Sequence, residues 1–355
     1  MSEPIGVVIV TFNSAPVIAE CLESVFASRG ADVAVVVVDN DSTDSTVQVI
    51  EDWARGRVPL SPRDDCPIRP LGPVAKPVRY TVSQARDVPA EAPLVILRSA
   101  VNGGFAHGVN RGLEVLARRK DVSLFWVLNP DCVVPPGTAA AYLAAAAEGP
   151  FSLLGCRTMY YEHPDRIQTD GGTVNRWTGV CSSVHARQAP DTPLPDAREL
   201  DYVTGANMVA SRTFLEAAGP MAEDYFLYYE EVDWASRRGN LPLKLVDGAV
   251  VYHHGGTAIG SGTAARRASP FANYFNCRNR RLFGRRHLSG SGPIILVYAL
   301  LKAAQLFLMG ARDEARAILA GAFLRPPPPD VKAKVKQGEA RRLAFGAAHD
   351  QQRGR

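Results

Sequence analysis

The sequence lacks several patterns that would place it in common functional classes. Its six cysteines show no C-x-x-C spacing, so we expect neither a zinc site nor a disulfide frame, but reduced and mostly buried thiols. The turn after the first apolar run, residues 11–15 (TFNSA), contains no glycine. This excludes the G-x-G-x-x-G turn of nicotinamide-dependent dehydrogenases and the Gly-rich, basic loop of sugar nucleotidyltransferases. Residues 1–4 lead directly into that run, so we expect no signal peptide and a cytoplasmic protein.

Acidic residues are also missing from one long segment. The net charge of the 355 residues is only +4, yet no Asp or Glu occurs between Gly248 and Arg312, where arginine is frequent. This asymmetry predicts a surface that faces phosphates or an anionic membrane. The apolar run 294–309 is short for a membrane span, which needs about twenty residues. We therefore favour an interfacial helix at the inner face of the membrane; a core helix or a homo-oligomer contact is the alternative.

Strand and helix patterns alternate along the first 150 residues. Short β-branched runs at 5–11, 33–38, 94–98 and 122–128 predict buried strands, and amphipathic segments at 14–28, 43–54, 108–119 and 138–148 predict helices between them. This order predicts an α/β fold with a doubly wound sheet. We expect a catalytic domain over residues 1–255 with a Pro-rich insertion at 57–93, a basic and apolar helical extension at 256–325, and a disordered tail at 326–355.

Polar residues follow the ends of the first two strands, where open α/β sheets bind ligands. They are Thr11, Asn13, Asp39, Asn40 and Ser42. A carboxylate at position 39 can accept the N3–H of a uracil or thymine ring, and its neighbours can bond a ribose. Helix capping is the competing interpretation for the short polar residues after position 40.

A Gly-rich segment follows the third strand of this alternating series. Gly104 permits positive φ and close approach of the backbone to a ligand, and Asn102 and Asn110 flank it. We favour a ligand-binding role for these residues over a plain turn into a helix.

The buried run 122–128 ends in Asn129-Pro130-Asp131. An acid fixed at the end of a central strand suits a hard divalent ion, magnesium or manganese, that bridges two phosphates, although Asn-Pro-Asp is also an ordinary turn. His253 and His254 follow a later apolar strand and can supply a further ligand, or can be satisfied structural histidines.

Glu230, Glu231 and Asp233 come directly after the aromatic run 225–229. Carboxylates in an apolar, partly closed place have a raised pKa and can act as a general base near neutral pH. The alternative is a helix start, with acids at the favoured end of the helix dipole and Asp233 paired to Arg237 at i, i+4.

These motifs, in this order, resemble the family 2 glycosyltransferases of the GT-A fold, closest to their bacterial rhamnosyltransferase and galactofuranosyltransferase branch. The resemblance runs from Val7 to about His287. The matching segments are 8–14 (VIVTFNS), 39–44 (DNxSxD), 102–110 (NxGFxxGxN), 128–131 (LNPD), 204–206 (TGA), 230–233 (EExD) and 252–256 (YHHGG).

The resemblance implies a role for each donor-side position. Asp39 would hold the pyrimidine base, and Asp131 would be the metal-binding last acid of the family's D-x-D. Asn129 stands in place of the first acid, which makes a second protein ligand more necessary. His253 is our choice for that ligand over His254.

On the acceptor side, Glu231 matches the catalytic base, a position that is often Asp in the family. Because Glu is longer, Glu230 and Asp233 stay open as alternatives. Gly205 and Ala206 would line the acceptor site.

The resemblance also implies a reaction. A sugar would move, with inversion, from a dTDP- or UDP-sugar to a saccharide or lipid-linked acceptor in cell-surface polysaccharide assembly, and nucleic acid would play no part. A galactofuranosyltransferase, or a protein that binds nucleotide sugar without transfer, is the alternative.

Overall fold

The fold is that of a computed structural model, which describes residues 4–57, 65–68, 74–85, 88, 91–255 and 267–346. The strands are β1 (Ile5–Thr11), β2 (Val33–Asp39), β3 (Tyr80–Ser83), β4 (Leu94–Arg98), β5 (Leu124–Leu128), β6 (Cys132–Val133), β7 (Leu153–Tyr160), β8 (Ile167–Thr169), β9 (Gly172–Val174), β10 (Cys181–Ser183), β11 (Asn207–Ser211) and β12 (Lys244–His253). The helices are α1 (Ile18–Phe26), α2 (Thr46–Arg55), α3 (Phe105–Ala117), α4 (Thr138–Ala147), α5 (Arg212–Ala218), α6 (Glu230–Ser236), α7 (Pro270–His287), α8 (Gly292–Leu308), α9 (Arg312–Ala322), α10 (Pro329–Ala333) and α11 (Glu339–Phe345).

One large sheet organises the described residues. Its strand order is β3-β4-β2-β1-β5-β11-β7-β12-β6, with β8 beside β7. The first five strands in this order are parallel, while β11 runs antiparallel between β5 and β7. The predicted mixed α/β sheet is therefore confirmed, and β1 and β4 have the predicted bounds.

The centre of the sheet is buried on both faces because helices cover each side. All seven residues of β1 are buried. Val8 and Val10 pack on the same side as Leu113 of α3, while Val7 and Ile9 pack with α1 and α2. This alternation follows from the two-residue period of a strand and explains why β1 has no polar face.

The C-terminal region is helical, as predicted, but it extends further than expected. We predicted disorder from residue 326, and this was wrong up to residue 346, because the prolines begin a helix instead of ending order. Pro328 is the N-cap of α10 and Pro329 its first residue, a position where a missing N–H costs nothing. Residues 347–355 lie outside the described part of the chain.

The predicted insertion and the cysteines can be assessed in part. Within the predicted insertion, β3 is a parallel edge strand, and residues 58–64 and 69–73 lie outside the described ranges. The six cysteines are free, and all except Cys181 are buried, as predicted. None of the described helices combines the length and the apolar character that crossing a bilayer requires.

Candidate active site

The parallel register brings Thr11 directly opposite Asp39 at the carboxyl ends of β1 and β2. The Asp39 carboxylate is buried and accepts two long hydrogen bonds, from Thr11 Oγ1 at 3.3 Å and from the Ser42 N–H at 3.3 Å. A buried carboxylate is stabilised by short, strong donors. Asp39 therefore keeps the capacity to accept a ligand N–H group.

The loops after β1 and β2 hold one another. The Asn13 N–H donates to Ser42 Oγ at 2.9 Å, and Asn13 Oδ1 accepts the Thr43 N–H at 2.8 Å. Ser42 is not the cap of α2, because that helix begins after Ser45, which makes no side-chain cap bond. Asn13 and Ser42 thus hold the two loops together beside Asp39. The capping interpretation is wrong for Ser42.

Asn40 connects this corner to the Gly-rich segment. Its Nδ2 donates to Asn102 Oδ1 at 3.2 Å and to the Gly104 carbonyl at 2.9 Å. Gly104 has φ +92°, and a Cβ there would lie 2.2 Å from the Phe226 carbonyl oxygen. Position 104 therefore requires glycine, because the segment that precedes the acidic residues passes against it.

Asn110 lies on α3 and is used elsewhere than the sequence predicts. Its Nδ2 donates to the Met221 carbonyl at 2.9 Å and to Glu223 Oε1 at 2.8 Å, and its Oδ1 accepts the Met221 N–H at 2.9 Å. We therefore assign Asn110 to the support of the segment before α6 instead of to the donor.

Asp131 and His253 come together at the ends of β5 and β12, with His253 Nε2 3.2 Å from Asp131 Oδ1. The Gln168 side chain fixes the orientation of the His253 ring. The Gln168 amide nitrogen donates to the His253 carbonyl at 3.2 Å, so the Gln168 amide oxygen faces His253 Nδ1 at 2.7 Å. Because that oxygen can only accept a hydrogen bond, Nδ1 must carry a proton. In the neutral ring, the Nε2 lone pair then points at the carboxylate. Two acceptors in this position need a proton or a cation between them, which is the geometry of a metal site with an oriented histidine.

The neighbours of this pair differ from the predicted set. Asn129 Nδ2 lies 3.3 Å from His253 Nε2 and so belongs to the site. The His254 ring instead bonds Glu162 Oε1 at 2.7 Å and stacks on Tyr161 with centroids 3.7 Å apart. The predicted metal role of His254 is therefore not supported by its side-chain direction.

Cys132 lies beside Asp131 and His253, and its thiol is the third group of this cluster. Its sulfur lies within 4.8 Å of the ligand atoms of Asp131 and His253. Burial raises the pKa of this thiol well above its ordinary value, and its sulfur lies 3.6 Å from the Ala206 carbonyl as a hydrogen-bond donor. A neutral thiol is a poor ligand for magnesium or manganese, so the oxygen and nitrogen of Asp131 and His253 remain the suitable donors.

Asp233 is the structural member of the acidic cluster. Its carboxylate accepts from Arg237 at 2.9 Å, His287 at 2.8 Å and the Tyr225 hydroxyl at 3.2 Å. Burial raises the pKa of Asp233, but the bond from His287 and the charge of Arg237 outweigh burial and lower it overall. The i, i+4 pair and the helix start at Glu230 are confirmed, and Asp233 is not available as a base.

Glu230 and Glu231 lack such partners. Burial raises the pKa of both, and that of Glu230 reaches about 8 because the charge of Glu231 adds to burial. Ionisation of one carboxyl group therefore disfavours ionisation of the other, and the pair favours a state that keeps one proton. Among the described residues, Oε2 of Glu230 has no hydrogen-bond partner. The Glu231 side chain lies against Gly205, where a Cβ would be 3.5 to 3.7 Å from its carbons.

Comparison with known proteins shows what this chain is similar to. Residues 6–65 match the sequence model of Glycosyl transferase family 2. Over these residues the chain is similar to the family 2 glycosyltransferases. An N-acetylglucosaminyl-diphospho-decaprenol L-rhamnosyltransferase of Mycobacterium tuberculosis is 24% identical over 291 residues, which is 76% of this chain and 82% of the relative.

Solved structures show that the fold of this chain is GT-A. The mannosyltransferase PcManGT of Pyrobaculum calidifontis, in complex with GDP-Man and Mn²⁺, has a TM-score of 0.50 and 15% identity, over 91% of this chain and 86% of that one. GalNAc-T7 with UDP, GalNAc and Mn²⁺ has a TM-score of 0.55 and 12% identity, over 89% of this chain and 55% of that one. At these identities the likeness shows the fold alone.

Gln168 and Cys132 are the residues of this site that sequence reasoning missed. Cys132 had a signal, since it directly follows Asp131. Gln168 had none, because it reaches His253 only through the pairing of β8 with β7 beside β12.

Proposed function

We propose that this glycosyltransferase transfers a rhamnose-like hexose, with inversion, from a dTDP- or UDP-sugar to a saccharide or lipid-linked acceptor in cell-surface polysaccharide assembly. One observation carries the proposal: the segment Gly205-Ala206 connects the two chemical groups that such a transfer needs. The Asn129 N–H donates to the Ala206 carbonyl at 2.9 Å, and Glu231 packs on Gly205. The Asp131–His253 pair and Glu231 therefore flank one short segment.

On the donor side, Asp131 and His253 would hold a divalent ion, and Asp39 would accept the N3–H of the base. The ion, magnesium or manganese, neutralises the diphosphate when it is bound and so stabilises the leaving group. Burial alone would raise the pKa of Asp131, but the charge and hydrogen bond of a His253 ring that carries a proton on Nε2 lower that pKa below the ordinary value. Asp131 is therefore an anion at neutral pH, and a cation would take the place of the proton between the two groups.

On the acceptor side, Glu231 takes the proton of the attacking hydroxyl group. A carboxylate in a buried place is a stronger base than one in water, because desolvation disfavours its charge. Glu230 stays protonated beside it and so does not add a second charge. The oxygen then attacks the anomeric carbon from the face opposite the leaving diphosphate, which inverts the configuration.

Relatives support the substrate classes. The M. tuberculosis relative is named for rhamnose transfer to N-acetylglucosaminyl-diphospho-decaprenol, a lipid-linked acceptor. The two structural neighbours contain a nucleotide or nucleotide sugar together with Mn²⁺. We extend these properties to this chain as part of the proposal and place it at the cytoplasmic face of the membrane.

A donor panel tests the proposal. Purified protein is incubated with manganese, an N-acetylglucosaminyl-diphospho-polyprenol acceptor, and dTDP-, UDP- or GDP-sugars in turn. We expect product with a dTDP- or UDP-sugar, and an anomeric configuration opposite to that of the donor by NMR. A retained configuration would contradict the mechanism, and donor binding without any turnover would support the binding-protein alternative.

A further inference from the structure

Helix α8 is packed along only one face. Its buried residues, Ile295, Ala299, Ala303 and Leu306, lie toward the rest of the C-terminal helices. On the opposite side, the exposed fractions are 40% for Ile294, 54% for Val297, 67% for Leu301 and 85% for Leu308. Their spacing places them in one row along the helix. At 1.5 Å rise per residue the row is about 21 Å long, and we call it the outer face of α8.

Basic side chains accompany the outer face, while acidic ones are absent from its neighbourhood in the sequence. Lys302 is exposed on the same helix, and the Arg312 guanidinium lies 5.7 Å from the centroid of the exposed Phe307 ring. No Asp or Glu occurs between Gly248 and Arg312, and the next acid, Asp313, pairs with Arg316. The surface is thus apolar in its centre and positive beside it.

A short turn connects α8 with the acidic residues of the active site. A Cβ on Gly179 would lie 3.5 Å from Ile295 Cδ1, and the Gly179 carbonyl accepts the Tyr229 hydroxyl at 2.7 Å. Tyr229 immediately precedes Glu230 and Glu231. The same turn carries Trp177, which is 65% exposed. An acceptor held beside the first turn of α8 would therefore lie on the side of the catalytic base.

We propose that the outer face of α8 docks this enzyme on the surface of an anionic lipid bilayer. The apolar row enters the boundary between headgroups and acyl chains, while Lys302 and Arg312 remain among the headgroup phosphates. A second copy of the chain suits this face less well. A two-fold contact would bring Lys302 toward its own copy, and α8 itself carries no acid to pair it. The inference deepens the proposed function, since it says where a lipid-linked acceptor is met.

Vesicle co-sedimentation of the full chain tests the docking surface. The vesicles are pure phosphatidylcholine or a mixture with phosphatidylglycerol, each at low and high salt. We expect binding to the anionic vesicles that weakens with salt, since ionic attraction is screened within about 10 Å at 0.1 M. The triple variant Val297→Gln, Leu301→Gln, Leu308→Gln should bind about tenfold more weakly or worse, because the buried apolar area is lost.

Val82→Gln is the matched control, since Val82 is an exposed apolar residue on the edge strand β3. It should bind vesicles as the wild type does. The inference would be overturned if the wild-type protein did not bind anionic vesicles, or if the triple variant bound them as the wild type does. It would equally be overturned if light scattering showed a dimer for the wild type and a monomer for the triple variant, while both bound vesicles equally. Binding needs no sugar donor, so vesicle binding without transfer would contradict the proposed function alone.

Discussion

At the scale of single residues, the environment separates three neighbouring carboxylates. Asp233 meets Arg237, His287 and a tyrosine hydroxyl, and is therefore a fixed anion. Glu230 is buried, and one of its oxygens has no hydrogen-bond partner in the part of the chain that the structure describes, which favours its neutral form. Glu231 is partly buried and is held by backbone N–H groups, which leaves it available for proton transfer. Desolvation and partner geometry, more than residue type, decide these roles.

The buried Glu230 predicts a specific dependence of stability on pH. Its pKa is raised to about 8 in the folded protein, so folding favours its proton; this contribution is complete at low pH and is lost as pH rises toward 8. The free energy of unfolding of Glu230→Gln, taken relative to that of the wild type, should therefore be higher at pH 8.5 than at pH 5. We expect this difference to be about 1 to 3 kcal/mol. Thermal melts at both pH values measure it. Glu216→Gln, at an exposed position, is the control, and an equal response of the two variants would contradict the assignment.

The metal ligands can be tested by calorimetry with UDP or dTDP, with and without manganese. Asp131→Ala should lose the manganese-dependent affinity, and His253→Ala should weaken it about 10- to 100-fold. His254→Phe is the matched control, because it keeps an aromatic ring against Tyr161 and removes a nitrogen that points elsewhere. Wild-type protein with the same affinity in both conditions would contradict the metal role.

At the scale of elements, α7 holds the loop that carries the acids. Phe226, Tyr228 and Tyr229 have positive φ, so regular backbone hydrogen bonding is interrupted there. Asn279 Nδ2 lies 2.9, 2.6 and 2.8 Å from the carbonyl oxygens of residues 225, 227 and 228. Arg278, also fully buried, donates to the carbonyls of residues 224 and 225. These two side chains replace the missing backbone donors.

Asn279→Leu should therefore reduce kcat by about 10- to 100-fold, since small displacements of a catalytic group are costly. The nucleotide Kd should change little, because Asp39 and Asp131 are held by other elements. Asn276→Leu, one turn earlier on α7, is the control: its Nδ2 donates within its own helix, to the Ala272 carbonyl. Steady-state kinetics and calorimetry distinguish the two effects. A normal kcat in Asn279→Leu would show that the loop needs no such support.

Sequence patterns predict local structure better than they predict partners. The apolar runs predict β1 and β4 correctly, because a strand that is buried on both faces consists almost entirely of apolar residues. The strand-end positions of Asp39 and Asp131 follow from the same reasoning. Asn110 and His254 were placed by adjacency to a motif, but their side chains turn toward Glu223 and Glu162, and single-chain patterns do not encode such directions.

At the scale of the whole molecule, the C-terminal helices belong to the catalytic unit. Val331 and Phe345 pack with Phe226, Tyr274 and Phe275 in one cluster. The Lys336 ammonium also lies 2.6 Å from Asp41, beside the proposed nucleotide corner. We therefore propose that the functional domain runs through residue 346, beyond the boundary at 255 that composition suggested.

Removal of α10 and α11 tests this boundary. A chain that ends at Arg325 exposes the aromatic rings of this cluster, so it should melt several degrees lower and aggregate. A chain that ends at Gly346 removes none of the cluster and should melt like the full protein. Calorimetric melts and light scattering measure both effects. A chain ending at Arg325 with unchanged melting would show that these helices are dispensable.

The central claim is that Glu231 is the base of an inverting transfer, and one comparison of variants tests it most directly. Transfer rate and UDP affinity are measured for the wild type, Glu231→Gln and Glu230→Gln. Glu231→Gln should lose about 10²- to 10⁴-fold in transfer rate and keep its UDP affinity, whereas Glu230→Gln should keep most of its rate. Normal turnover by Glu231→Gln, above all with a loss in Glu230→Gln, would contradict the account.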